Sequence, residues 1–248
     1  MIKGGQKVSK EVENNAAEEA VAEKKGGISE NTVEVLVAIF LGITALLTAW
    51  ATWIGSLHGG NQATNYTKSN NLAAEGNSEY NAAFQDYLSD LMVWNTLMEY
   101  YFDQELADAR GDYLESEMIE AKIETYLDSN GSQNLIDAFD QMTDDMNSPF
   151  EVEGMTDNYF TTAYELLDES QALLEEGQAD NAHGDAYNLV TVIYSLVLFM
   201  LGIVGIFKRI PNRMVVLVIA VIGLIIATIY MCTIPMPTGF DLASFFAG

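Results

Sequence analysis

Residues 189–207, LVTVIYSLVLFMLGIVGIF, and residues 214–234, MVVLVIAVIGLIIATIYMCTI, joined by the basic turn 208–213, KRIPNR, decide the fold class. At about 1.5 Å per helical residue, each apolar run spans a hydrocarbon layer of about 30 Å. Neither run contains a charged side chain, whereas a helix packed on the core of a small soluble domain shows polar residues at every third or fourth position. A membrane hairpin is the reading. A third run, VEVLVAIFLGITALLTAWATWI at 33–54, has the same character, with its one charge, Glu34, at the edge. About thirty residues, mostly polar, precede it and no small-residue cleavage pattern follows it, so it is expected to stay as an anchor.

Flanking cations set the orientation, because lysine and arginine beside membrane segments are retained in the cytoplasm. Lys24 and Lys25, with Lys3, Lys7 and Lys10 before them, precede the first span, and Lys208, Arg209 and Arg213 fill the turn between the second and third. Both regions are therefore expected inside the cell, with the segment between spans one and two, and the C-terminus, outside it. From Leu57 to Tyr187 three basic residues stand against 28 acidic ones, a difference equal to the chain's whole formal net charge of −25. Trp50, Trp53, Tyr187 and Tyr230 lie near the outer ends of their spans, where amphipathic rings favour the lipid–water boundary.

The expected organisation is a polar cytoplasmic tail at 1–32, a span at 33–56, an acidic extracytoplasmic domain at 57–187, a span at 188–207, the turn at 208–213, a span at 214–234 and a short external tail at 235–248. The fold class is an all-α membrane protein, with three transmembrane helices and an extracytoplasmic antiparallel helical bundle inserted between the first and second. Within the acidic domain, Tyr80, Phe84, Leu88, Leu91, Met98 and Phe102 recur at steps of three and four, with Asn95 as the one polar step. This predicts a long helix continuing from the first span, with a break at Gly59–Gly60. Further stripes run through Leu114, Met118, Ile123 and Leu127, and through Leu135, Phe139, Met142 and Met146, on either side of a turn at 129–132. After a loop at Ser148–Pro149 and Gly154, Thr156 or Asp157 caps a helix carrying Phe160, Tyr164, Leu167 and Leu174. All these stripes are expected to be core.

Two features of the spans bear on function. Thr44, Thr48, Thr52 and Gly55 share one face of the first span, and small or hydroxyl residues there serve either close helix packing or, in an oligomer, a pore wall. Gly202, Gly205 and Gly223 suit close approach within the hairpin. Apart from Glu34 at the edge, no Asp, Glu, Lys, Arg or His lies within the spans, which argues against an ion-coupled pump.

His58 and His183, the only histidines, flank the outer ends of the first and second spans, with Asp180 and Asp185 nearby. They are either two interfacial histidines that never meet or a metal or pH-sensing cluster, since imidazole titrates near neutrality and binds transition metals. The single cysteine, Cys232, excludes disulfides and multi-cysteine metal sites within one chain. Asp144–Asp145 lacks the Asp-x-Asp-x-Asp-Gly spacing of a strong calcium loop. Nucleophile-elbow, phosphate-loop and dinucleotide signatures are missing, so no enzyme and no cofactor are expected.

The runs AWATWIGSLHGGNQATNYTKSNNLAAEGN (49–77) and QADNAHGDAYNLVTVIYSLVLFMLGI (178–203), the basic turn and Pro235-Met236-Pro237 carry a resemblance to a family of uncharacterised three-span prokaryotic membrane proteins with an acidic helical external domain. That resemblance implies a fold and assigns no catalytic residue. The reading is a non-enzymatic, homo-oligomeric protein of the cell membrane whose acidic external bundle makes protein contacts as scaffold, accessory subunit or sensor. Its partners are membrane lipid, further copies of itself, and a basic protein or cations outside; nucleic acid would be repelled. The alternative is a cation-permeable channel with an acidic vestibule and a threonine-lined first helix.

Overall fold

The computed structural model describes residues 30–143, 145–204, 206 and 210–241, and among them every regular element is helical. Lys24, Lys25, Asp144, Gly205, Lys208, Arg209 and the tail from residue 242 lie outside the described residues. Five α-helices follow in order: α1 (Glu30–Arg110), α2 (Tyr113–Asn130), α3 (Gln133–Gln141), α4 (Met155–Val204) and α5 (Ile210–Thr233), with a 3-10 turn at Pro149–Glu151. Three of them, α1, α4 and α5, contain stretches long and apolar enough to cross a membrane.

The expected break at Gly59–Gly60 does not occur: α1 runs unbroken for 81 residues. Each glycine costs a helix about 1 kcal/mol relative to alanine, too little to interrupt one favoured on both sides. Breaks come where capping groups stand ready. Gly111, at φ 74°, ends α1, and the Asp112 carboxylate accepts the Glu115 N–H to start α2. The Ser132 hydroxyl likewise accepts the Leu135 N–H at the start of α3. Before α4, Gly154 takes a left-handed conformation, and Thr156 and Asp157 fall in the first turn rather than at its cap.

The described residues divide into two compact units, one formed by those up to Gly60 and from Asp180 onward, the other by Asn61–Ala179. In the first, Val190, Tyr194, Val197, Leu201 and Val204 of α4 interleave with Leu217, Ala220, Leu224 and Ala227 of α5, while α1 contributes Val33, Val37, Ala51 and Ile54. A Cβ on Gly223 would stand 3.2 Å from a Val197 methyl, so that glycine does serve close approach; Gly202 has nothing within 4 Å and does not. The outward side chains are apolar too: Leu46 on α1, Phe199 on α4 and Ile229 on α5 are all more than three-fifths exposed. Beyond Pro235–Pro237 the chain turns back, and Phe240 packs edge-on against Trp50 and Trp53.

In the second unit the core is Val93, Leu97, Ile123, Leu135, Ala138 and Met155, ringed by Trp94, Phe139, Phe150 and Tyr159. Burying a side chain such as Leu97 or Leu135 contributes about 1.5–3 kcal/mol. Residues 61–110 of α1 and 155–179 of α4 also touch: Ser69 faces Ser170, Gly76 meets Leu167, and Tyr80 lies 4.9 Å ring to ring from Phe160. The core expectation needs correction here. Phe84, Leu88, Met98, Phe102, Leu114, Met118 and Tyr164 are exposed, Phe102 by 61%. The buried flank of α1 is the opposite one, carrying Asp90, Val93 and Leu97. Two apolar stripes share this helix, and the unit has elements enough to cover one.

Candidate functional site

In the first unit, the structure brings together His58, Asp180 and His183. His58 projects from α1, and Asp180 and His183, three residues apart, share a face of α4. Small residues permit the approach: a Cβ on Gly184 would lie 3.6 Å from the Gly55 carbonyl oxygen and 3.6 Å from the His58 Cβ, and one on Gly55 would lie 3.2 Å from the Tyr187 Cβ. Of the four residues singled out beside the spans, Asp185 is exposed and stands apart from the cluster.

His58 is 1% exposed. Its Nδ1 lies 2.7 Å from an Asp180 carboxylate oxygen, and its Nε2 lies 3.1 Å from the Pro235 carbonyl oxygen. The Tyr187 ring stacks on one side at 5.8 Å, and the half-buried His183 ring approaches at 5.2 Å. One candidate ligand atom from each of His58, Asp180 and His183 falls within 4.8 Å of the other two. A carbonyl oxygen only accepts, so Nε2 carries a hydrogen, and the Nδ1 position then faces a carboxylate that also only accepts. Something positive belongs between them. The Pro235 carbonyl, from a segment 177 residues away in sequence, could not be anticipated by spacing.

The threonine face separates. Thr44 is wholly buried, Thr52 is exposed, and Gly55 abuts α4. Each hydroxyl donates to the carbonyl four residues earlier, Thr44 to Phe40, Thr48 to Thr44 and Thr52 to Thr48, at 2.7–2.8 Å. At the start of α5, Arg213 is buried and 3.5 Å from the Glu34 carboxylate.

The second unit holds a polar knot that sequence reasoning missed. Asp90, 1% exposed, accepts hydrogen bonds from the Ser132 N–H at 3.0 Å, the Ser132 hydroxyl and the Tyr159 hydroxyl at 2.5 Å. Burial first, and the hydrogen bond to Asp90 second, push the Tyr159 phenol well above its ordinary value. Burial alone raises Tyr101, and the Thr143 hydroxyl holds the exposed Asp145 below the usual carboxylate range.

No family model, curated protein or solved structure matches the chain.

Proposed function

We propose that this chain is a non-enzymatic protein of the cell membrane that associates with copies of itself through an acidic helical unit held outside the cytoplasm. One observation carries the reading: on α1, Phe84, Leu88, Leu91, Asn95, Met98 and Phe102 step by 4, 3, 4, 3 and 4, and all but the half-buried Leu91 are exposed on the single chain. That alternation is the seam of a helix that pairs with another helix, and a lone asparagine on it favours one register by bonding its own counterpart. Copies anchored in one membrane point the same way, as a parallel, in-register seam requires. Despite the strongly acidic composition, the only acidic residues between Phe84 and Phe102 are Asp86, Asp90 and Glu99, and Asp90 is buried, so like charges oppose the contact weakly.

Three apolar helices whose outward side chains suit lipid support the anchored part of the reading. The Arg213–Glu34 pair supports starting α1 and α5 on the same membrane face, which the cationic flanks assign to the cytoplasm. Contacts along α1 and α4 whose numbers run in opposite senses support an antiparallel helical arrangement of the external unit.

In a Cys232→Ser background, Asn95→Cys is expected to yield a disulfide-linked dimer in membranes under mild oxidation. Leu88→Asp with Phe102→Asp should reduce the mass of the particle in nanodiscs to that of one chain. A single-chain mass for the unaltered protein would end the proposal. Orientation has its own readout: Lys68→Cys in the same background is expected to react with a membrane-impermeant maleimide on intact cells. Labelling only after lysis would place the acidic unit inside and refute that part.

A further inference from the structure

We propose that His58, Asp180 and His183 form a binding site for a divalent transition metal of the zinc and cobalt type. The Pro235 carbonyl accepts the hydrogen on His58 Nε2, which leaves the Nδ1 lone pair aimed at the Asp180 carboxylate oxygen 2.7 Å away. Two lone pairs at that distance repel unless a cation separates them, and the candidates are a proton or a metal ion. A proton would satisfy His58 and Asp180 alone. A metal ion also uses His183, whose ring is held beside that of His58 and has no hydrogen-bond partner among the described residues.

Metal-bound histidines characteristically donate their second ring N–H to a backbone carbonyl or carboxylate, which fixes tautomer and ring plane. The 3.1 Å contact to Pro235 supplies that outer support. Bonds of about 2.0–2.1 Å in a tetrahedral shell set ligand atoms roughly 3.3 Å apart. The three ligand atoms, all within 4.8 Å of one another, reach that spacing by small side-chain rotations, with the 2.7 Å pair opening by about 0.6 Å. Two imidazoles and one carboxylate select zinc, cobalt or nickel over calcium and magnesium, which take oxygen ligands. One position of a four-coordinate shell remains for water, on the side where His183 is half open. Bound there, the ion would cross-link α1 to α4, with the segment after α5 braced against the same ring.

The test uses the full-length, untagged protein, purified in detergent and stripped with a chelator, with cobalt(II) as the probe. One equivalent is expected to produce visible d–d absorption, to persist in millimolar magnesium and to be displaced by one equivalent of zinc(II). His183→Ala removes the most accessible ligand, and Asp180→Asn keeps the shape of the carboxylate while removing its charge. Each should weaken cobalt binding by a factor of about 100 or more, larger than loss of an outer-shell partner produces, at unchanged helical circular dichroism. Absent absorption at micromolar cobalt would overturn the site. So would displacement by magnesium, which marks diffuse binding to the acidic surface, or absorption that survives both substitutions.

Discussion

Replacing Asp90 with alanine is expected to destabilise residues 113–159 by about 3–5 kcal/mol, the combined effect of orphaning its buried neutral donors. The carboxylate is 1% exposed and accepts from the Ser132 N–H, the Ser132 hydroxyl and the Tyr159 hydroxyl. Hydrogen bonds to a charged acceptor contribute about 1.5–3 kcal/mol each, and an orphaned buried donor costs about 1–3. Ser132 also caps α3, so its loss of orientation propagates into the Leu135 and Ala138 core. Hydrogen exchange on the full chain should show protection across residues 128–141 falling by about 100- to 1000-fold, at 1.4 kcal/mol per tenfold. Asp90→Asn, which keeps one acceptor oxygen, should fall between. Protection within threefold of the unaltered protein would mean that the knot does not hold the unit together.

The same knot sets a pH limit. The folded-state value of Tyr159 is raised above the ordinary value of about 10, so its contribution to stability is intact below about pH 10 and is lost as pH climbs through the raised value. Ultraviolet titration should therefore show a phenol ionising well above the ordinary range that Asp90→Asn brings down, which assigns it to Tyr159 rather than to Tyr101.

What was legible in the sequence followed how local each signal is. Nineteen to twenty-one largely apolar residues announce a helix long enough for a bilayer wherever they occur; α4 carries the first run as far as Val204, and α5 carries the second as far as Thr233, starting four residues earlier at Ile210. Periodicity located the stripes of α1 but not which stripe would be covered, because that depends on the reach of α2, α3 and α4 rather than on spacing. The helical part of the histidine cluster was half visible: the two rings stood at matched ends of two spans, but whether they met depended on glycines 55 and 184 allowing the helices to close. Asp90 gave no signal. One aspartate among 36 acidic residues looks like solvated surface until Ser132 and Tyr159, 42 and 69 residues on, are seen to converge on it.

Glycine substitutions along α1 and α4 should change sign with position. Alanine at Gly59 or Gly60, where nothing lies within 4 Å, is expected to stabilise the helix by up to about 1 kcal/mol, the propensity difference alone. At Gly177 a Cβ would stand 2.5 Å from two ring carbons of Tyr66 and 3.5 Å from the Asn65 Cβ. Overpacking of that kind costs about 1–3 kcal/mol and so exceeds the roughly 1 kcal/mol regained in propensity. Gly76 is similar: its Cβ would meet Leu167 Cγ at 2.9 Å and Leu166 Cβ at 3.2 Å, and the second atom, next to the backbone, moves only if the helix does. Leucine at Gly177 adds three further carbons where the Tyr66 ring already sits, and should cost about 3 kcal/mol or more by separating α1 from α4. Exchange rates at residues 62–70 and 170–179 read the difference directly: about 100-fold faster for Gly177→Leu and slower by up to about fivefold for Gly59→Ala. Equal effects at the open and crowded glycines would show that α1 and α4 do not approach closely there.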